Sequence, residues 1–146
     1  MKRIEPAVER VLLEHFGGDS VVALATVEDG MPYCRSVNAH YEGGCFYVVT
    51  HVRSNKMRQI AKEPMVALSG EWFAGHGRAE DMGAFAAAAN EAVAARLRRA
   101  FSAWLGNGHT DPDDPDTHIL RIALTDGVLL RHGVRPYFFG TLSRLI

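Results

Sequence analysis

Apolar side chains recur along this chain in two rhythms, and the change between them marks out its elements. From Pro6 to Phe16 the residues Val8, Val11, Leu12, His15 and Phe16 fall on one face at helical spacing, and Gly17-Gly18 stops the pattern. Val21 to Val27 is an apolar, β-branched run of strand length, and the Asp29-Gly30 that follows predicts a hairpin turn. Pro32 to Tyr41 is then the return strand, Gly43-Gly44 a second turn, and Cys45 to Thr50 a third strand, an antiparallel meander. Ser54 to about Lys62 reads as a short basic helix ended by Pro64. Met65 to Phe73 predicts a fourth strand and His76 to Met82 a fifth, with Ala74-Gly75 as the break. Gly83 to Leu105 is rich in alanine, and Phe85, Val93, Leu97, Phe101, Trp104 and Leu105 form an apolar stripe, so one longer helix is expected there. Gly106 to Thr117 reads as a loop. His118 to Ala123 and Gly127 to Arg131 predict the last strands, turning at Thr125-Asp126-Gly127, and Tyr137, Phe138 and Phe139 an aromatic packing cluster.

About six strands with short turns and few helices must hide their edges, and closure into a small barrel does so. The expected class is mainly β with α: a six-stranded antiparallel barrel with an N-terminal helix, a short basic helix at a barrel gap, and one longer helix. The 146 residues fit a single domain, 1–146, and a hydrophobic fraction of 47% supplies an ordinary core.

Charge and cysteine content narrow the classes further. A formal net charge of −1 argues against a broad nucleic-acid footprint. No apolar run is long enough to span a bilayer, and the start of the chain reads as an amphipathic pattern, not a signal peptide. Cys34 and Cys45 lack CxxC spacing and read as buried free thiols, which suits a cytoplasmic protein. The histidines show no HxxxH or HExxH spacing. The loop carrying Asp111, Asp113, Asp114 and Asp116 lacks the glycine and the final glutamate of a calcium loop, so no metal site is expected. Signatures of P-loops, dinucleotide folds and hydrolase elbows do not occur.

Candidate chemistry gathers at Ser54-Asn55-Lys56. A helix start offers unpaired N–H groups and a partial positive charge. Ser54 is a good N-cap whose hydroxyl can also donate to phosphate, and Arg53, Lys56 and Arg58 add charge with no acidic residue before Glu63. Such a start can hold a phosphate monoester, and a capped helix with a basic solvated face is the other reading.

The ordered set of motifs resembles a known family. A strand, a DG turn, a strand carrying Pro32-Tyr33-Cys34-Arg35-Ser36-Val37, a GG turn, a strand ending in Val49-Thr50, then Ser54-x-Lys56-x-x-x-Ile60 and Glu63-Pro64-Met65-Val66-Ala67-Leu68 is similar to the pyridoxamine 5′-phosphate oxidase-like FMN-binding split-barrel family. Its short nitroimidazole-resistance-like and general-stress-protein-like members are the nearest in pattern. The resemblance runs over residues 5–82 and more loosely over 118–131.

The resemblance implies an FMN-binding homodimer with flavin at the subunit interface. It implies that Arg35 lies near the phosphate or ribityl chain, with Ser36, Val37 and Asn38 running along the flavin. Val49 and Thr50 would meet the ring, and Ser54, Asn55 and Lys56 would hold the phosphate. Trp72 would cover a ring face from the partner subunit or serve as a core anchor. Asn55 stands where the naming oxidase has an arginine, and His40 where it has a substrate-contacting lysine, so His40 is the substrate-side candidate. The shared part is the cofactor cradle, not the oxidase's substrate side. The function implied is an oxidoreductase passing electrons from a reduced nicotinamide to a small organic or nitro-aromatic acceptor. A non-catalytic flavin store, or a haem- or deazaflavin-binding split barrel, are the alternatives.

Overall fold

The computed structural model describes residues 4–130 and 137–140. Its strands are β1 (Ser20–Glu28), β2 (Met31–Glu42), β3 (Cys45–His51), β4 (Met65–Gly70), β5 (Phe73–Ala84), β6 (Thr117–Leu129) and β7 (Tyr137–Phe139), and its helices α1 (Pro6–Phe16), α2 (Asn55–Lys62) and α3 (Glu91–Ala100). The strands run in the order β3-β2-β1-β4-β5-β6-β7, and pairing of β3 with β6 closes the first six into an antiparallel barrel. The expected fold class is therefore the observed one, with β7 as an addition. Asp29-Gly30 makes the first hairpin with positive φ at both residues, the geometry that matches strand twist.

The barrel is split. β6 pairs with β5 along most of its length, but its other edge belongs to β3 from Thr117 to Ala123 and to β7 from Gly127 to Leu129. On the far side of the gap, β2 follows β1 from Met31 to Ala39 yet meets β3 only from His40 to Glu42. One backbone edge of β2 is thus without a strand partner over residues 31–39 among the described residues.

Helices close the two ends. At one end α1 inserts Val8, Leu12 and Phe16, and Phe16 packs against Phe46 and Phe73. A Cβ on Gly70 would sit 2.8 Å from the Phe16 ring, so the close approach of strand and helix depends on glycine there. At the other end α2 crosses from β3 to β4 and buries Met57 and Ile60 in the same core. α3 lies outside the barrel, where Val93, Ala94 and Leu97 pack with Tyr47, Val49, Phe85, Phe101 and Ile119.

Four boundaries differ from the sequence reading. Ala74-Gly75 is no break, because β5 runs straight through it. Gly75 is instead needed where a Cβ would meet the Asp126 carbonyl at 2.7 Å. The turn falls at Glu71-Trp72, with Trp72 held at φ 61°, an uncommon conformation for a bulky residue. The last two strands are one. At Thr125-Asp126-Gly127 the chain bulges rather than turns, and the buried Asp126 carboxylate accepts from the His76 backbone N–H and lies 2.8 Å from its ring Nδ1. The long alanine-rich helix shrinks to α3: Ala84 still pairs with His118, and the buried Asn90 amide donates to the carbonyls of Met82 and Ala84, which fixes an irregular turn. Alanine propensity alone could not show that anchor.

Smaller expectations also resolve. Cys34 is exposed, not buried, on the outer face of β2; Cys45 is half-buried, and both thiols are free. The aspartates of the acidic loop cap its own turns, Asp111 accepting from Asp113 N–H and Asp114 from Asp116 N–H. Phe139 stacks on Phe73, while Arg131 lies outside the described residues. No helix among the described residues is long and apolar enough to cross a membrane.

Candidate functional site

Side-chain alternation along β1 and β2 decides what enters the α2 end of the barrel. On β1, Val22, Leu24 and Thr26 face inward, so a hydroxyl follows two apolar residues at the last buried position. On β2, Val37, Ala39 and Tyr41 face inward, and Arg35, in the same alternation, reaches the same end. Gln59 on α2, 1% exposed, meets them from above. Thr26 donates to Gln59 Oε1 at 2.5 Å, and Arg35 donates to Thr26 Oγ1 at 2.7 Å and Gln59 Oε1 at 2.9 Å. Buried polar groups demand such partners, and every one of these partners is neutral.

Around α2 the cations divide into two sets. Arg53 pairs with Asp116 at 2.7 Å, and Arg58 and Lys62 both pair with Glu28, at 3.0 and 3.4 Å. The local sequence carries no acidic residue between Arg53 and Glu63; these carboxylates, Asp116 and Glu28, arrive from a distant loop and strand. Arg35 and Lys56 have no carboxylate partner among the described residues. Burial and then the charge of Arg35 hold the Lys56 ammonium below the usual lysine range. Two half-buried like charges that feel one another are an arrangement an anion relieves.

The helix start adds neutral donors. Ser54 sits at the N-cap of α2 with extended backbone, but its hydroxyl makes no capping bond and no side chain among the described residues caps the first turn. It lies instead 3.5 Å from the Thr50 hydroxyl. Uncapped amides and free hydroxyl capacity at a helix N-terminus suit a phosphate.

The predicted residues therefore separate. Arg35, Thr50, Ser54 and Lys56 lie at the α2 end, where Arg35 and Lys56 feel one another's charge and Thr50 and Ser54 stand 3.5 Å apart. Asn55 is exposed, and its Oδ1 accepts from Arg58 at 2.8 Å. Val37 is packed in the core and Val49 under α3, so neither side chain faces this end. Ser36 and Asn38 point to the outer face of β2, where Asn38 donates to Asp19 at 2.9 Å. Both residues lie, however, within the stretch of β2, residues 31–39, whose one edge has no strand partner among the described residues. His40 stands at the other end of β2, its ring nitrogens 3.2 Å from the Gly18 carbonyl and 3.4 Å from Glu42. Trp72 is exposed, not a core anchor, in the hairpin at the α1 end of β4. Thr26 and Gln59 were missed; the signal available was a threonine at an inward position of an apolar strand.

The architecture is a split β-barrel with one polar, helix-covered end. The chain belongs to the pyridoxamine 5′-phosphate oxidase family, whose model matches residues 7–130. Similar solved structures include a NimC/NimA family protein from Clostridium acetobutylicum, 18% identical over 90% of this chain and 94% of that one, with a TM-score of 0.69. General stress protein 26 from Bacillus anthracis is 18% identical over 92% and 98% of the two chains, with a TM-score of 0.68. An FAD-binding protein from Mesorhizobium loti is 18% identical over 86% and 94%, with a TM-score of 0.59. No curated protein matches this chain in sequence.

Proposed function

We propose that this protein binds FMN and acts as an oxidoreductase, passing electrons from a reduced nicotinamide to a small organic or nitro-aromatic acceptor. The observation that carries the reading is the pair Arg35 and Lys56, cationic, half-buried and without a carboxylate partner among the described residues, beside an uncapped helix start. Ser54, the first amides of α2, Lys56 and Arg35 would hold the terminal phosphate. The unpaired β2 edge supplies backbone donors and acceptors of the kind a flavin ring edge requires. Family membership and the FAD-binding neighbour support a flavin in this fold. Bound flavin supplies the redox chemistry, and the protein supplies grip, orientation and electrostatics.

A second copy of the chain would cover the open β2 edge, and Trp72 would then approach a flavin from the partner subunit, since within one chain it lies at the opposite barrel end. The substrate side differs from that of the naming oxidase: Asn55 is turned toward Arg58, and both ring nitrogens of His40 already have structural partners. A cytoplasmic location suits the free thiols.

The absorbance spectrum of the purified protein tests the cofactor. Flavin bands, with FMN released on denaturation, support the reading; a Soret band supports haem, and release of a deazaflavin supports the related cofactor. Bleaching by NADH or NADPH and return of colour with a nitro-aromatic acceptor support the enzyme over a store. A protein that is colourless and indifferent to added FMN overturns the proposal.

A further inference from the structure

We propose that Thr26 and Gln59 are positioning residues that select which edge of the Arg35 guanidinium is offered to an anion. This rests on the phosphate reading above. A guanidinium is planar, with five N–H donors in fixed directions. Arg35 Nη1 donates to Thr26 Oγ1 at 2.7 Å and to the Leu24 carbonyl at 3.3 Å, and Nη2 donates to Gln59 Oε1 at 2.9 Å. These bonds consume both hydrogens of Nη1 and one of Nη2. The donors left are Nε–H and the second Nη2–H, which lie side by side and parallel on one edge. Neither has a partner among the described residues. Two parallel donors match two oxygens of one phosphate.

The clamp is rigid. Thr26 is 0% and Gln59 1% exposed, and the Thr26 hydroxyl donates to the same Gln59 oxygen that Arg35 uses. It is also neutral. A carboxylate at either position would hold the guanidinium as firmly but would cancel the charge that the phosphate needs. Thr26 and Gln59 thus orient Arg35 while leaving its charge available, and the ordering of that long side chain is complete before a ligand arrives.

Binding of FMN and of riboflavin, which lacks the phosphate, to the full-length protein tests the clamp by fluorescence titration. Thr26→Val and Gln59→Met should each weaken FMN binding about three- to tenfold, the scale of one unfrozen side chain. Riboflavin binding should not change, so the FMN-to-riboflavin preference falls. Thr26→Ser should keep the preference. Gln59→Glu, which retains the acceptor, should lower it through charge cancellation, and it supplies the reading if the other variants do not fold. Equal weakening of both flavins, or an unchanged preference in the folded variants, overturns the clamp. Arg35→Met separates the two claims. If it abolishes the preference while the clamp variants do nothing, the phosphate reading stands and this inference falls. If wild type shows no preference for FMN, the phosphate reading itself fails.

Discussion

The two ends of this barrel are closed by helices of similar size and yet have opposite chemistry. At the α1 end, Phe16, Phe46 and Phe73 form an aromatic plug with Leu12 and Tyr41, and the buried Tyr41 phenol donates to Glu9 and accepts from the Gly44 N–H. Among the described residues no buried side-chain polar atom there lacks a hydrogen-bond partner. At the α2 end, the barrel strands deliver Thr26, Thr50 and Arg35, the helix delivers Gln59 and Lys56, and two cations remain without a carboxylate partner among the described residues. A fold maximising its own stability would neutralise them, as it does Arg53 and Arg58 one turn away. The difference teaches where packing ends: one end completes the core, and the other is the end at which we propose a ligand binds.

Removing packing from the α1 end should have the largest effect and should leave the other end alone. Phe46→Ala deletes a fully buried ring in contact with Phe16, Tyr41 and Phe73. Its expected cost is about 3–5 kcal/mol of unfolding free energy by denaturant titration. FMN affinity, measured at a temperature where the variant is folded, should be unchanged. A matching loss of affinity would show that the ends are not independent. The mirror experiment is Lys56→Ala at the α2 end. It should weaken FMN binding by about 1.5–3 kcal/mol, the loss of one charge-assisted hydrogen bond, with little loss of stability.

How much of this contrast was legible in the sequence follows from the range of the interactions. The meander, the closing of the barrel and Ser54, Lys56 and Arg35 rest on local pattern, on turn chemistry and on a motif order that stays within residues 5–82. The contacts that give the site its character are long-range. Glu28 reaches Arg58 and Asp116 reaches Arg53 across the fold, so a stretch that reads as uniformly basic is largely neutralised. The same holds for the strand boundaries. A glycine in β5 reads as a break until the Asp126 carbonyl is seen where its side chain would be. Asp126-Gly127 reads as a turn until His76 is seen across from the carboxylate. Val49 and Val37 share their strands' motif, but alternation sends one under α3 and the other into the core, which a motif position does not express.

Titration sharpens the contrast further, because Lys56 should make ligand binding and stability respond to pH in opposite directions. Burial and Arg35 hold its folded-state pKa below the ordinary lysine value of 10.5. Above about pH 7 the FMN phosphate is already dianionic, so a change in the alkaline range reports the protein. As pH rises through the lowered value, Lys56 loses its proton and FMN affinity should fall, before an ordinary lysine would titrate. In that window the unfolded chain binds more protons than the folded one, so the stability of the ligand-free protein should rise with pH. Lys56→Arg should flatten the alkaline fall in affinity. A fall that persists in that variant would assign it to another group.

The smallest expected effect is the most direct test of whether the α2 end is electrostatically incomplete on its own. Lys56→Gln removes one of two like charges while keeping a polar side chain of similar reach. Deletion of a half-buried cation normally costs stability when the charge is paired. Here no carboxylate partner among the described residues is lost, and the repulsion from Arg35 is relieved. The ligand-free variant should therefore be as stable as wild type or more stable, by up to about 0.5–1 kcal/mol, the scale of a solvent-screened charge interaction. With saturating FMN the order should reverse, because a ligand stabilises the folded state in proportion to the logarithm of its concentration over its Kd, and the variant's Kd is weaker. Thermal melts with and without FMN give both numbers from one pair of proteins. A variant less stable than wild type in both conditions would mean that Lys56 has a structural partner and that the two barrel ends differ less than their chemistry indicates.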